Sequence, residues 1–173
     1  TVASAMNSPI TPAPSAMVSI AHHYRLMYPQ EATRDRAAAE RADYLFNRLF
    51  INAVTQGDLD TNGNGTMEAG EPRNDPALRG RLDYFGINYY SLTTIRSSSL
   101  LPLVGGIPLA DELDRGLPKT DFGWDIYPRG FQLALEWAGT YGLPVVITEN
   151  GLADSSDANR ARFLAEHVAA MQA

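Results

Sequence analysis

The chain contains no cysteine, so disulfides, thiolate nucleophiles and cysteine metal clusters are excluded, and the redox compartment stays open. It has no run of about 18 apolar residues, the length a transmembrane helix needs. No Gly-x-Gly-x-x-Gly follows any apolar segment, which counts against a flavodoxin-like or dinucleotide-binding protein. Positive charge is scarce: 14 Lys and Arg stand against 20 Asp and Glu, a net charge of −6. That balance disfavours nucleic acid or an anionic membrane as partner. A solenoid-type repeat is missing as well.

What remains is an ordinary globular composition. Hydrophobic residues make up 45% and aromatics 9%, which argues against disorder. The 173 residues suffice for one domain. They begin at Thr1 and end at Ala173 inside a helical pattern, so the chain reads as part of a longer protein. Its organisation reads as one barrel domain over 1–173 with an insertion at 57–76.

Residues 1–16 are rich in Ser, Pro, Ala and Thr and read as loop. Met17 to Ala21 reads as a strand ending in His22-His23-Tyr24. Both histidines sit at its mouth end, so one could line a site there, although most such histidines are structural. From Arg34 to Val54 the pattern is helical, with an apolar stripe through Ala38, Ala42, Leu45, Phe46, Leu49, Phe50 and Ala53. Leu82 to Tyr90 predicts a second strand, and residues 91–122 have no sustained period. Phe131, Ala134, Leu135, Ala138 and Tyr141 form a helix face, Gly142 stops it, and Pro144 opens a third strand. Ser155 or Ser156 predicts a cap for a last helix, with a buried stripe of Ala161, Leu164, Val168 and Met171. Trp137 reads as packing and His167 as a helix-face residue. The order β-α-β-α-β-α implies parallel strands with right-handed crossovers. Three units alone do not separate a closed barrel from an open doubly wound sheet.

The most informative segment is Val145-Val146-Ile147-Thr148-Glu149-Asn150-Gly151. A run of β-branched residues ends in a carboxylate, and Asn-Gly turns the chain. A Glu at the last position of a buried strand sits at a mouth, where (β/α)₈ barrels carry their chemistry.

Four segments in order resemble glycoside hydrolase family 1, the β-glucosidase and β-galactosidase family. Ile147-Thr148-Glu149-Asn150-Gly151 resembles its nucleophile motif, and Phe85-Gly86-Ile87-Asn88-Tyr89-Tyr90 its sixth strand. Thr120 to Pro128, with Asp121-Phe122-Gly123-Trp124, resembles the loop before its sixth helix. Ala38 to Asp43 with Asn47-Arg48-Leu49-Phe50 resembles the helix after its fifth strand. The resemblance implies an α/β fold: an incomplete (β/α)₈ TIM barrel of about three βα units, a long loop and a calcium-loop-like insertion. It implies hydrolysis of terminal β-D-glycosidic bonds, β-glucosidase-like, by a retaining double displacement, acting on a small carbohydrate substrate with no catalytic cofactor. Glu149 matches the nucleophile and Tyr90 the tyrosine that orients it. Asn88 matches a sugar-site asparagine, and Trp124 matches a tryptophan walling the leaving-group site. Read without the resemblance, Tyr90 and Asn88 are core or turn residues and Trp124 a loop anchor.

The departures are equally specific. The family's acid/base glutamate lies in a Thr-x-Asn-Glu-Pro segment, and no Asn-Glu-Pro occurs here; Gly70-Glu71-Pro72 lies in a loop. The first-strand glutamine, the early His-Trp ligands and the Trp-rich eighth strand are also missing from these residues. The expectation is a chain that holds the nucleophile without its partner and is inactive in isolation. The alternative function is a non-catalytic, calcium-binding, carbohydrate-recognising fragment.

A second motif is independent of the first. Asp60 to Glu71 fits D-x-[DN]-x-[DN]-G-x₅-E without a gap. Asp60, Asn62, Asn64, the Thr66 carbonyl, Glu68 and Glu71 occupy ligand positions 1, 3, 5, 7, 9 and 12, and hard oxygens suit Ca²⁺. Pro72 and Pro76 argue against an exit helix, so the loop reads as an isolated structural calcium insertion; the bland alternative is a polar turn. A calcium loop of millimolar affinity suggests an exported protein, and without it a cytoplasmic one.

Overall fold

The computed structural model describes residues 16–103, 105–109 and 115–173. Strand β1 runs Ala21–Pro29, followed by helix α1 (Arg36–Asp43), a π-helical turn (Tyr44–Arg48) and helix α2 (Leu49–Gln56). Strand β2 spans Phe85–Ser97 and β3 Gly106–Leu109. Helix α3 (Pro128–Gly139), strand β4 (Val145–Asn150) and helix α4 (Arg160–Gln172) complete the order. The expected loop at 1–16 lies, but for its last residue, outside the described residues.

β2 is the centre of the sheet. It pairs in parallel with β1 and with β4, and antiparallel with β3. β1 covers one edge of β2 as far as Ile95, so β3 and β4 share the other edge at different heights. The parallel pairs β1–β2 and β2–β4 each enclose a helical crossover, as the order of elements predicts. Phe85, Ile87 and Tyr89 point to one face and are fully buried against Phe131, Ala134, Trp137 and Ala138 of α3. Burial of side chains this size contributes about 1.5–3 kcal/mol each. Gly86, Asn88 and Tyr90 therefore point to the opposite, inner face. Gly86 is required by close approach: a Cβ there would lie 2.3 Å from the Ile20 carbonyl oxygen and 3.2 Å from Thr148 Cγ2.

Several expectations are corrected. β1 starts at Ala21 rather than Met17; Met17 and Val18 are 62% and 60% exposed, and Val18 bonds to Asp83 instead of joining the ladder. β2 runs on to Ser97, and β3 returns beside it within a segment expected to lack structure. The predicted single helix is interrupted at Tyr44–Arg48, where Asn47 rather than an apolar residue turns inward. Asn47 Oδ1 accepts from the Arg25 N–H at 3.2 Å, and its Nδ2 donates to the Arg25 carbonyl at 2.8 Å. The wider π turn shifts the phase of the stripe and leaves Phe46 and Phe50 about half exposed.

The last helix starts after Asn159, not at Ser155 or Ser156, and the Asn159 N–H is taken by the Asp154 carboxylate at 2.7 Å. Its buried face is Phe163 and His167, while Leu164, Val168 and Met171 are exposed. The aromatic pair wins because it stacks at 3.8 Å and His167 reaches Phe131 at 5.5 Å. Trp137 packs in the core as expected, 5.0 Å from Tyr24 and 5.3 Å from Phe85.

Candidate active site

The site is set by a local irregularity of β4. Ile147 pairs with Ile87, but the next pair is Glu149 with Asn88, so Thr148 is an extra residue in the ladder. Val145 and Ile147 pack on the helix-side core. Strict alternation would send Glu149 the same way. The bulge turns Glu149 onto the inner face instead, beside Asn88. A carboxylate buried among Phe85 and Trp137 would be costly; on the inner face Glu149 is exposed.

Three contacts organise that face. Tyr90 donates its hydroxyl to Glu149 Oε2 at 2.5 Å. Thr148 Oγ1 donates to Asn88 Oδ1 at 2.5 Å, and Asn150 Nδ2 to the Tyr89 carbonyl at 2.9 Å. The bond to Glu149, with burial second, raises the Tyr90 hydroxyl above its ordinary pKa of 10, so it stays a donor at neutral pH. Asn88 is 8% exposed and shares the row of Glu149.

Trp124 meets the Tyr90 ring edge-on at 6.1 Å. Its loop is pinned by Asp125, which is fully buried. The Asp125 carboxylate pairs with Lys119 at 2.6 Å and Arg115 at 3.3 Å, and its carbonyl accepts from Ser91 Oγ at 2.8 Å. Ion pairs anchored on a buried carboxylate hold the loop against β2 without entering the site.

Of the two histidines at the strand's mouth end, His23 is the one that faces the site. It pairs in register with Asn88, so His23, Asn88 and Glu149 form one row across three strands. Its ring meets Tyr90 edge-on at 5.8 Å. Burial, then the neighbouring Arg25 charge, lowers its pKa below 6.5, and Glu149 pulls the other way. His22 takes the opposite side and packs against Phe85 and Trp137, where burial pushes its pKa down to about 4. Arg25 also reaches the site, with its guanidinium 5.9 Å from the Trp124 ring. The signal for His23 and Arg25 was period-two alternation away from the core residue Tyr24.

The Asp60–Glu71 loop is elsewhere and closes on itself. Asp60 is 2% exposed. It accepts from Tyr44 Oη at 2.8 Å, the Asn64 N–H at 3.1 Å and the Gly65 N–H at 2.6 Å. Burial alone would raise its pKa, but these bonds outweigh it and hold the carboxyl low. Asn62 and Asn64 accept from the N–H groups of Asn64 and Thr66. Glu68 accepts from both asparagine amides. Glu71 accepts from the N–H groups of Glu68 and Thr61 and from Thr61 Oγ1, and the Glu68 amide leads in lowering its pKa. Among the described residues no group of three or more His, Cys, Asp or Glu is gathered as metal ligands. No helix follows the loop.

The fold and site define a segment of a β-glycosidase-type barrel. The chain superposes on the β-glycosidase from Pyrococcus horikoshii with a TM-score of 0.69 at 31% identity, over 86% of this chain and 33% of that one. The rice β-glucosidase Os3BGlu6 shares the fold, with a TM-score of 0.73 at 22% identity over 90% of this chain and 39% of that one. The profile of glycosyl hydrolase family 1 matches residues 1–173, and the chain belongs to that family. It is 33% identical over 144 residues to a β-galactosidase of Sulfolobus acidocaldarius, covering 78% of this chain and 27% of the relative. It is 29% identical over 174 residues to a β-galactosidase of Pyrococcus woesei, covering 90% of this chain and 32% of the relative. The chain thus spans about a quarter to a third of the length of these curated relatives.

Proposed function

We propose that this chain is the nucleophile-bearing part of a retaining β-glycosidase that hydrolyses terminal β-D-glycosidic bonds of small carbohydrates. The observation that carries the reading is the bulge at Thr148, which sets Glu149 beside Asn88 and against the Tyr90 hydroxyl. An exposed carboxylate held by one neutral donor keeps lone pairs for attack on an anomeric carbon. In this reading Glu149 displaces the leaving oxygen and forms a glycosyl ester, and water then hydrolyses it. Asn88 orients the sugar, and Trp124 offers a ring face.

Retaining chemistry needs a second carboxyl group about 5–5.5 Å from the first, to protonate the leaving oxygen. No Asn-Glu-Pro segment is present. We assign that group to residues outside 1–173, and the isolated chain is therefore inactive.

The test is covalent trapping. The intact protein, incubated with a 2-deoxy-2-fluoroglycosyl fluoride, is expected to carry a stable glycosyl adduct on Glu149, read by peptide mass spectrometry. An adduct elsewhere, or none from a protein that turns over aryl β-glycosides, overturns the assignment. Turnover of an aryl β-glucoside by purified 1–173, abolished in Glu149→Gln, overturns the division of the site.

For the 60–71 loop we propose a structural Ca²⁺ site, supported by the unbroken ligand spacing and by Gly65 at the sixth position with φ of 83°. Ca²⁺ would take oxygens now held by loop N–H groups. Calorimetry with CaCl₂ is expected to give a Kd of about 10⁻⁴–10⁻³ M. No heat at millimolar Ca²⁺ removes the proposal, and with it the suggestion of an exported protein.

A further inference from the structure

Thr148 is the extra residue of the β4 ladder, between the pairs Ile147–Ile87 and Glu149–Asn88. With no ladder partner, its side chain is fixed by what it touches on β2. Its methyl lies against Gly86, where a Cβ would come within 3.2 Å of Thr148 Cγ2. That contact narrows the staggered positions open to a β-branched side chain. In the position adopted, Oγ1 donates to Asn88 Oδ1 at 2.5 Å. Gly86 and Asn88 are alternate residues of β2 and share its inner face, so one side chain spans both.

The bond decides which end of the Asn88 amide meets the site. A carboxamide carries an acceptor on one side and two N–H donors on the other, in nearly the same shape. Thr148 takes the acceptor. Nδ2 is left on the opposite side, with no hydrogen-bond partner among the described residues. Asn88 is 8% exposed and is the ladder partner of Glu149. A donor and an acceptor therefore stand side by side on the inner face. A sugar hydroxyl has one proton to give and lone pairs to share, so it can donate to Glu149 while accepting from Asn88. With the amide reversed it would meet two acceptors, and one would go unpaired.

We propose that Thr148 is a positioning residue whose hydroxyl locks the Asn88 amide with Nδ2 toward the sugar. The proposal rests on the β-glycosidase reading above and adds a residue that acts through Asn88. The fold does not hang on this hydroxyl. Thr148 is exposed, and on the far side of Glu149 the bulge is held separately, by Asn150 Nδ2 donating to the Tyr89 carbonyl at 2.9 Å.

The test is a double-mutant cycle in the intact protein, read on an aryl β-glycoside. Thr148→Val keeps the branched shape against Gly86 and removes the donor; Thr148→Ser keeps the donor and drops the methyl. Thr148→Val is expected to lower kcat/KM roughly tenfold, with most of the loss in kcat and little in KM. Thr148→Ser is expected to stay within about threefold of wild type. In an Asn88→Ala background, Thr148→Val is expected to cost less than about twofold more, because the amide it orients is gone. Thr148→Ala removes the same donor and takes the place of the valine variant if that one does not fold. Wild-type activity in Thr148→Val overturns the proposal. So does a tenfold loss that persists in the Asn88→Ala background, which would mean that Thr148 acts without Asn88. A serine variant as impaired as the valine variant overturns it too, since shape rather than the hydroxyl would then matter. Failure of the wild-type protein to hydrolyse any glycosyl fluoride, gluco or galacto, refutes the glycosidase reading itself and this proposal with it.

Discussion

Two acidic places in this molecule are built in opposite ways. Glu149 sits at a strand end, exposed, with one hydroxyl donor at 2.5 Å. Asp60 and Glu71 each take three donors, five of the six from residues of their own loop. The scaffold around Glu149 is rigid because its strand packs on a fully buried row of Phe85, Ile87 and Tyr89. The loop has little apolar packing and spends its side chains satisfying its own backbone. A carboxylate with unused lone pairs on a rigid element suits chemistry; one saturated with backbone donors suits folding of a loop.

The strongest way to break that contrast is Glu149→Gln. In the intact protein kcat/KM on an aryl β-glycoside is expected to drop by at least about 10³-fold, as for loss of a covalent nucleophile. The melting temperature should barely move, since exposed substitutions usually stay within about 0.5 kcal/mol. Substantial residual turnover would place the nucleophile elsewhere.

Next comes Tyr90→Phe, which removes a single charge-assisted hydrogen bond. Such a bond is worth about 1.5–3 kcal/mol, so kcat is expected to fall roughly 10–100-fold. Steady-state kinetics with an unchanged kcat would show that the donor does not orient Glu149.

The smallest expected effect is at the loop. Asp60→Asn should lower stability by about 1 kcal/mol after solvent screening, and activity should follow only through stability. The pH dependence has a definite sign. Asp60 is held below its unfolded pKa by its donors, so its contribution is present above that unfolded value, about 3.8, and is lost as pH falls through the folded one. Melting curves of wild type and Asp60→Asn should therefore diverge at pH 6 and converge below about pH 3.8. A difference that grows on acidification would contradict the network.

The family and the order of the three βα units were legible in the sequence, because they rest on contiguous signals. The β-branched run closed by Glu149-Asn150-Gly151, the Asn88-x-Tyr90 spacing and the Asp60–Glu71 register are all readable one residue at a time. The candidate site was legible in its members but not in its mechanics. Period-two alternation places Asn88 and Tyr90 on one face, yet it would have put Glu149 on the wrong one. Which of His22 and His23 lines the site stayed open and Arg25 was passed over, because a strand's inner face is recognised only once its outer face has found a helix. The π turn that buries Asn47 and the choice of Phe163 and His167 over Leu164 and Val168 were hidden for the same reason.

What the sequence by itself determined is local: propensity, turn chemistry and motif spacing, each decided within a few residues. What only the tertiary structure decided is which way each side chain faces. The extra residue at Thr148 is an outcome of fitting β4 against β2 while Val145 and Ile147 stay in the core. That fit is a contest between distant segments, and it turns a strand end into a carboxylate bonded to Tyr90, fifty-nine positions earlier in the chain.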